Sequence, residues 1–255
     1  MKGNNMPLDS LSRSAPVVFK PCVTSTNTLL KGLASRGVPD GFVLAAAKQT
    51  SGRGRLGRGF ESPEGGLYLS MLLYPGCALE RVQTLTPCVA VALCRALARA
   101  CGVTPEIKWP NDLLLNGRKL CGILVESSTV RGRLYVVIGI GLNINTAPAD
   151  FPEELRDTAG SLFGELGRRF ELQDVAAAVI EELDAMYAAW QVDPACCLDD
   201  YRRLCVSINR PVTLIRNGVS RAAFARDIDE SYALVADVDG AEEHISTGEI
   251  SLRNA

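Results

Sequence analysis

The segment SGRGRLGRGF, at positions 51–60, brings four glycines and three arginines together in one short stretch. Glycine lets backbone amides approach a ligand closely, and arginine donates paired hydrogen bonds to phosphate or carboxylate oxygens. The residue order matches neither a Walker A loop nor a dinucleotide-binding fingerprint. We therefore predict an anion-binding loop of another kind. A solvated loop without a ligand, a tight structural turn and an RNA-binding segment are the alternatives.

Two further residues, Lys119 and Asp112, are candidates for the same anion-binding site. Lys119 follows the Asn116-Gly117 pair and enters the apolar run LCGILV, so its ammonium group must either extend to solvent or meet an anion. Asp112 ends the segment KWPND at 108–112, whose Pro-Asn-Asp run is typical of a turn. Because two lysines are near it in sequence, the Asp112 carboxylate is also a candidate to orient a lysine or to help hold a metal ion.

The composition is that of a folded protein without a strong charge bias. The chain has 255 residues, 47% of them hydrophobic and 22% charged, and a formal net charge of −2. This charge does not indicate a nucleic-acid or membrane-surface protein. The N-terminal residues lack the apolar run of a signal peptide, and the apolar stretches are too short to span a bilayer. We therefore expect a cytoplasmic protein with no membrane partner.

The numbers of histidines and cysteines limit which side chains can carry out catalysis or bind a metal. His244 is the single histidine, which excludes a multi-histidine metal site and leaves one candidate base for a Ser or Cys triad. The nine cysteines include no CxxC pair and no other spacing typical of zinc ligands, so we expect buried reduced thiols for most of them. Lys, Arg and Asp are then the side chains left for the chemistry.

Three helices are predicted around these residues. Ser25 or Thr26 is suited to cap a short helix, because either hydroxyl can accept from a free amide of the first turn. The segment TPCVAVALCRALARAC predicts a second helix from Thr86, as its cap, to Cys101. A long helical pattern follows from Asp174.

Strands are predicted from turn chemistry. Both central positions of a type I′ turn need a positive φ, so Asn116-Gly117 predicts a hairpin. A second turn at 130–132 would complete a three-stranded antiparallel meander. Short strand-like pieces from about residue 204 predict a small β-barrel-like module.

Seven blocks, taken in this order, resemble the biotin protein ligases, also called biotin–[acetyl-CoA-carboxylase] ligases. The blocks are STN at 25–27, Gln49 ahead of GRGRLGR, KWPND at 108–112, GRKLCGILVE at 117–126, GIGLNIN at 139–145, NRPV at 209–212 and GEISLR at 248–253. Each block is weak alone, but the ordered set is specific to the family and runs through nearly the whole chain.

The resemblance implies an α+β fold in two domains. A catalytic domain at 1–203 would have a mixed β-sheet with flanking helices, and a small SH3-like β-barrel domain would follow at 204–255. Since the STN block comes at residue 25, a helix-turn-helix domain has no room before it. We therefore expect the short type of biotin protein ligase, without an N-terminal DNA-binding domain and without DNA as a partner.

The resemblance also implies a two-step reaction. The carboxylate of biotin attacks the α-phosphate of ATP and gives biotinyl-5′-AMP and pyrophosphate. The ε-amine of a specific lysine on a biotin carboxyl carrier domain then attacks the acyl carbon and releases AMP. Mg²⁺ is expected with ATP, its protein ligands are unknown, and no tightly bound cofactor is implied. Members of this type can form homodimers through sheet edges.

The matching positions take the family's roles. The implied catalytic residues are Lys119, Arg53, Arg55 and Asp112, and a fixed charge on Lys119 would stabilise the reacting carboxylate and phosphate. The implied contacts to biotin or its adenylate are Ser25, Thr26, Asn27, Gln49, Gly52, Arg53, Gly54, Arg55, Arg58, Phe60, Lys119, Gly122, Gly141 and Asn143. Hydroxyl and amide groups suit a neutral ureido ring, glycines let strands approach the pocket, and Asn143 is expected on the nucleotide side.

Two positions depart from the family pattern. Phe60 stands where Trp is usual, so an apolar cover is kept and the indole donor is lost. Cys121 stands where Ala is usual, and we expect a small buried residue through which thiol reagents inactivate the enzyme. The competing activities are a lipoate or octanoate protein ligase, a non-catalytic biotin-binding module, and an RNA-binding protein that uses residues 51–60.

Overall fold

The fold is described for residues 13–216 and 218–252 of a computed structural model. The N-terminal residues 1–12 and Arg253, which ends the GEISLR block, lie outside the described residues. The helices are α1 (Thr26–Ala34), α2 (Leu79–Val82), α3 (Leu85–Cys101), α4 (Leu162–Leu166), α5 (Leu172–Val192) and α6 (Leu198–Leu204). The strands are β1 (Val17–Lys20), β2 (Val43–Ala46), β3 (Gly66–Leu73), β4 (Glu106–Lys108), β5 (Asp112–Leu115), β6 (Arg118–Val130), β7 (Arg133–Asn143), β8 (Arg210–Arg216), β9 (Val219–Ile228), β10 (Leu234–Val238), β11 (Ala241–Ile245) and β12 (Glu249–Leu252).

Strands β1–β7 form one mixed sheet in the order β1-β2-β3-β7-β6-β5-β4. β1 and β2 are parallel, and the other neighbouring pairs are antiparallel. Helix α1 covers one face, and α3 and α5 cover the other. On β3, Leu69 and Met71 therefore pack beneath α3 and α5, whereas Leu72 packs beneath α1. Successive side chains of a strand point to opposite faces of the sheet, so a strand covered by helices on both faces must be apolar on both.

The predicted meander is confirmed as β5, β6 and β7, which pair in sequence with antiparallel registers. Asn116 and Gly117 both have positive φ, at 51° and 78°, as the hairpin prediction requires. Arg131 and Gly132, at 51° and 76°, make the turn from β6 to β7. The two turns place three of the blocks on adjacent strands. KWPND leads into β5, GRKLCGILVE lies on β6, and GIGLNIN lies at the end of β7.

The three predicted helices are all present, and the starts of two of them differ from the predictions. Ser25 is the cap of α1, because its hydroxyl oxygen accepts from the Thr28 N–H at 3.4 Å. Helix α3 begins at Leu85 with Thr84 as its cap residue, so the predicted cap at Thr86 is wrong. Amides of the first helical turn lack intrahelical acceptors, so proline is tolerated at the third position as well as the first. Helix α5 likewise begins two residues before the predicted Asp174.

The helical stretch Leu79–Cys101 corrects one expectation. By length and composition it is apolar enough to cross a bilayer, although the sequence was expected to contain no stretch that long. In the fold, 67% of its most apolar window is buried inside the protein. Its apolar surface is thus covered by protein, chiefly by α5 and the first sheet, as in the core helix of a globular domain.

Strands β8–β12 form a second, antiparallel sheet in the order β11-β10-β9-β8-β12. The α+β class and the separate C-terminal β unit are thereby confirmed. Val212, Leu214 and Leu234 of this sheet belong to the same buried core as α3 and the first sheet. Helix α6 ends at Leu204, beside the predicted domain boundary between residues 203 and 204. That boundary stays a prediction.

Candidate active site

A cavity of about 330 Å³ lies between the 51–60 loop, the first sheet and the edge of the second sheet. It gathers most of the predicted site residues. Those on its wall are Ser25, Thr26, Asn27, Gln49, Arg53, Gly54, Arg55, Arg58, Phe60, Asp112, Lys119, Gly122 and Gly141. The remaining two, Gly52 and Asn143, lie close by but not on this wall.

One end of the cavity carries neutral polar groups at the start of α1. Gln49 Oε1 accepts from the Thr26 N–H at 2.8 Å and from the Thr26 hydroxyl at 3.0 Å. The Ser70 hydroxyl lies 2.7 Å from Thr26 Oγ1 and donates to Asn27 Oδ1 at 2.6 Å. Thr26, Asn27 and Ser70 are buried, so these bonds fix the orientation of each group.

Asn27 is also held from its amide side. Its Nδ2 donates to Glu126 Oε2 at 3.0 Å, and Lys31 pairs with the other oxygen of that carboxylate at 2.7 Å. Burial of the Glu126 carboxyl would raise its pKa, but the hydrogen bonds from Lys31 and Asn27 outweigh burial and leave the pKa below its ordinary value. Glu126 is therefore a charged acceptor that orients Asn27.

Strand β7 leaves room for these side chains. Tyr135 and Val137 face α1, so the period of two places Gly139 and Gly141 on the same face further along the strand. A Cβ at Gly139 would overlap Asn27 Oδ1 and would lie 2.7 Å from its Cγ and Nδ2. Glycine at 139 is thus what allows the Asn27 amide to lie against the sheet.

The 51–60 loop is closed by its own backbone. The Gly54 N–H donates to the Arg58 carbonyl at 2.8 Å, and the Phe60 N–H donates to the Gly52 carbonyl at 3.0 Å. A Cβ at Gly52 would overlap Phe60 O and Ser62 Oγ. Gly52 therefore lets the loop pack against Phe60 and Ser62, and its predicted contact with the ligand stays a prediction.

The arginines of the loop extend to different partners. Arg55 Nη1 donates to Asn111 Oδ1 at 3.0 Å, which ties the loop to the turn between β4 and β5. Arg58 pairs with Glu249 of β12 at 2.8 Å and so ties the loop to the second sheet. Burial lowers the pKa of Arg55, an effect that nearby carboxylates oppose. The Arg53 side chain is exposed at the cavity wall.

Lys119 and Asp112 form the ion pair that the sequence left open, with Lys119 Nζ 2.8 Å from Asp112 Oδ1. A bulge in β6 makes this possible: Leu113 pairs with Cys121 and Leu114 pairs with Lys119, so Leu120 is an extra residue. In an unbroken strand, residue 119 would share the core face of Cys121. The bulge turns the lysine to the cavity face instead.

Phe60 covers the floor of the cavity. A Cβ at Gly122 would lie 2.8 Å from Phe60 Cε2, and one at Gly141 would lie 2.8 Å from Phe60 Cζ. The two glycines therefore seat an aromatic ring, a more specific use than the close strand approach that was expected. Lys119 Nζ lies 5.8 Å from the centre of the same ring.

Asn143 faces a second cavity, of about 1230 Å³, which shares Phe60, Asp112 and Lys119 with the first. Its Nδ2 donates to the Gly160 carbonyl at 3.0 Å, and its buried Oδ1 has no partner among the described residues. The backbone of 158–160 also pairs with Lys119 on both sides, through its N–H and its carbonyl. Lys119 thus stands where the two cavities meet.

Cys121 lines neither of the two cavities. Its side chain is fully buried in the core beneath α3, and burial raises the pKa of the thiol. The expected small buried residue is therefore confirmed. Its burial argues against inactivation by thiol reagents at Cys121, because reagents attack an accessible thiolate.

Several supporting residues were not predicted from the sequence. They are Ser62, Ser70, Asn111, Glu126, Gly139 and Glu249. Ser70 carried a usable signal, since it is a polar residue inside the apolar run LYLSMLL. Four of the others, Asn111, Glu126, Gly139 and Glu249, lie inside the blocks that match the family, but their contacts became evident only when distant segments were brought together.

Comparison with known proteins agrees with this geometry. Residues 19–143 match the Biotin/lipoate A/B protein ligase family. The bifunctional ligase/repressor BirA of Bacillus subtilis (strain 168) is 39% identical over 166 residues, which are 64% of this chain and 51% of that protein. The biotin--[acetyl-CoA-carboxylase] ligase of Mycobacterium tuberculosis (strain ATCC 25618 / H37Rv) is 32% identical over 236 residues, 89% of this chain and 85% of that protein.

A solved structure extends the similarity to both sheets. Biotin protein ligase from Aquifex aeolicus, in complex with biotin and ATP, has a TM-score of 0.79 and 26% identity, over 94% of this chain and 99% of that chain. The chain spans about half the length of the Bacillus relatives it matches.

Proposed function

Because the chain belongs to the biotin/lipoate A/B protein ligase family, we propose that it is an ATP-dependent biotin protein ligase. It would activate biotin as biotinyl-5′-AMP and transfer the biotinyl group to one lysine of a biotin carboxyl carrier domain. One observation carries the proposal. One cavity is lined both by a neutral hydroxyl and amide cluster and by Lys119 and the loop arginines.

That arrangement matches a ligand with a neutral ring at one end and a carboxylate at the other. Thr26 and Asn27 would hydrogen-bond the ureido ring, for which uncharged donors and acceptors are suitable. Lys119 would meet the carboxylate and the α-phosphate. The cavity volume of about 330 Å³ is within the range for a small-molecule site.

In the first step, a biotin carboxylate oxygen would form a bond to the α-phosphorus of ATP, and the bond from that phosphorus to the bridging oxygen of pyrophosphate would break. Negative charge builds on the phosphate oxygens as this happens. The Lys119 ammonium, held by Asp112 at 2.8 Å, would stabilise that charge without having to reorient. Arg53 and Arg55 would act on the same phosphate from the loop.

In the second step, the carrier lysine amine would attack the acyl carbon, lose a proton to solvent, and displace AMP. The acyl-adenylate is reactive, so its retention matters for specificity. Arg55 and Arg58 anchor the loop to Asn111 of the first sheet's β4–β5 turn and to Glu249 of the second sheet. A loop held at both anchors would keep the adenylate from reaching unrelated lysines.

Mg²⁺ would arrive with ATP. Asp112 and Glu249, the carboxylates on the wall of the described cavity, are already paired with Lys119 and Arg58. They fit poorly as ligands for an additional cation, whereas Mg²⁺ is commonly held through substrate phosphates. We therefore assign no step to a protein-bound metal and no metal role to Asp112.

The same proposal includes a cytoplasmic location and excludes a role for DNA or a membrane in the reaction. The nine cysteines, all within the described residues, are free thiols, which suits a reducing compartment. A homodimer would form through edge strand β1 of the seven-stranded sheet, because the outer side of the other edge strand, β4, is already bridged by Cys205.

Pyrophosphate exchange into ATP tests the proposal. The purified protein with Mg²⁺ would be given biotin, lipoate, octanoate or no acid, and Lys119→Ala would be compared with Lys20→Ala, an exposed lysine on edge strand β1. We expect exchange only with biotin, lost in Lys119→Ala and kept in Lys20→Ala. Exchange with lipoate or octanoate instead would favour the related ligase activity. No exchange with any acid would favour a non-catalytic binding protein.

A further inference from the structure

Three cysteines that no sequence spacing connects are brought together outside the active site. The Sγ atoms of Cys88, Cys196 and Cys197 all lie within 4.8 Å of one another, and those of Cys196 and Cys197 are 3.7 Å apart. Cys88 is in the first turn of α3, and the other two immediately precede α6. Among the described residues, this is the one group of three or more possible metal-ligating side chains that converges in this way.

Two of the three cysteines are buried, and the Cys88 sulfur has two oxygen neighbours, the Pro194 carbonyl at 3.7 Å and the Tyr232 hydroxyl. Cys88 and Cys197 are 0% and 2% exposed, whereas Cys196 is half-buried. The Tyr232 hydroxyl lies 3.4 Å from Cys88 Sγ and accepts from the Cys197 N–H at 3.3 Å. Since that hydroxyl accepts a backbone hydrogen bond, its own proton is available to the Cys88 sulfur.

Packing alone accounts for a single buried cysteine, as at Cys94, but not for three sulfurs pointing at one centre. Thiolates around one zinc ion, at about 2.3 Å each, are separated from one another by about 3.8 Å. The Cys196–Cys197 separation of 3.7 Å is close to that value, and the two separations from Cys88 are no more than 4.8 Å. A disulfide would require two sulfurs to approach to about 2 Å. We propose that Cys88, Cys196 and Cys197 bind a divalent thiophilic metal ion, with Zn²⁺ as the ion.

Charge favours a divalent ion over a monovalent one. Binding replaces the thiol protons, so three S–H bonds break, three metal–sulfur bonds form and three protons pass to solvent. The complex then has a net charge of −1 with Zn²⁺ and would have −2 with Cu⁺, and burial penalises the larger charge. The Tyr232 hydroxyl can donate to the Cys88 thiolate, and the half-buried Cys196 gives the ion access from solvent.

The cluster stands where it can join the two sheets. Tyr232 lies just before β10 of the second sheet, and its carbonyl accepts from Trp109 Nε1 at 3.2 Å. Trp109 lines the active-site cavity. An ion at the cluster would therefore connect α3, the segment before α6 and the second sheet next to the cavity wall. The inference does not depend on the proposed ligase activity.

The test uses the full chain, purified with a non-thiol reductant and freed of metal with a chelator. Cd²⁺ would be added to follow the ultraviolet charge-transfer band of metal thiolates, and Zn²⁺ would be added to follow Tm. We expect one ion per chain, and Zn²⁺ at about 100 times its Kd should raise Tm by about 5–10 °C.

Variants decide whether these three sulfurs hold the ion. Cys88→Ala, Cys197→Ala and Cys196→Ser should each weaken Cd²⁺ binding at least about tenfold. Cys94→Ala, at a buried cysteine on the same helix, should bind as the wild type does. Because Cys196 is half-buried, its serine variant remains informative if either alanine variant fails to fold.

Three results would overturn the inference. One is a reduced protein that retains no Cd²⁺ or Zn²⁺ after dialysis. Another is binding that is unchanged in all the variants of the cluster, which would mean that the ion sits elsewhere. A disulfide among these cysteines that persists in the presence of excess Zn²⁺ and reductant would also contradict it.

Discussion

Gly139→Ala should disturb the active site through Asn27 alone. The new Cβ would overlap Asn27 Oδ1 and lie 2.7 Å from its Cγ and Nδ2, so the amide must move. In its present place the amide accepts from Ser70 at 2.6 Å and donates to the Glu126 carboxylate at 3.0 Å. Because both partners are held by other residues, neither can follow the amide.

The size of the effect follows from those two bonds. A neutral hydrogen bond contributes about 1 kcal/mol and one to a charged group about 1.5–3 kcal/mol, so the free energy of unfolding should fall by about 2.5–4 kcal/mol. For a chain of this length, that lowers Tm by roughly 5–16 °C. If Asn27 also contacts the acid substrate, losing one further hydrogen bond should raise the KM for biotin about tenfold.

A double-mutant cycle isolates the cause. Denaturant unfolding would be measured for Gly139→Ala, Asn27→Ala and the double variant, and biotin-dependent pyrophosphate exchange would give the KM. Once Asn27 is alanine, the overlap is gone, so Gly139→Ala should then cost less by at least about 1 kcal/mol. Gly32→Ala, on α1 with nothing within 4 Å of the new Cβ, is the control and should be neutral or slightly stabilising. An equal cost of Gly139→Ala in both backgrounds would refute the reasoning.

Four other outcomes are expected. Lys119→Ala should lower the rate of adenylate formation about 100- to 1000-fold in pyrophosphate exchange, because it removes one fixed donor to the developing charge. Arg55→Gly should release the adenylate and biotinylate lysines on unrelated proteins, and labelling confined to the carrier lysine would contradict this. Thiol-reactive reagents should modify exposed Cys22 in the folded protein but not buried Cys121, as peptide mass mapping can show. The depressed pKa of Glu126 stabilises the fold above its unfolded pKa, so Tm should fall as pH drops below about 4.5, and less so in Glu126→Gln.

Features set by neighbouring residues were predictable from the sequence. The Asn116-Gly117 turn, the cap at Ser25 and the glycine–arginine loop each depend on residues within one turn or one short segment. The end of α3 at Gly102 belongs with them, since a φ of 73° favours glycine. Its start was misplaced because several positions in a first turn tolerate proline.

Features that join distant segments were not predictable. Asn27 and Glu126 are 99 residues apart, and nothing near either one indicates the hydrogen bond between them. The bulge at Leu120 changes which face Lys119 occupies, although the alternating pattern of β6 places it on the other face. The pair of Arg58 with Glu249 similarly requires the second sheet to lie against the loop.

Transfer of biotin to a carrier lysine tests the central claim most directly. The protein would be incubated with biotin, ATP, Mg²⁺ and a purified biotin carboxyl carrier domain, and the carrier would be analysed by intact-mass and peptide mass spectrometry. A carrier with its acceptor lysine changed to arginine and the Lys119→Ala enzyme would be run beside it. We predict one biotin per carrier at that lysine, dependent on ATP, and none in either control. An unmodified carrier, with a folded enzyme and all substrates present, would contradict the account.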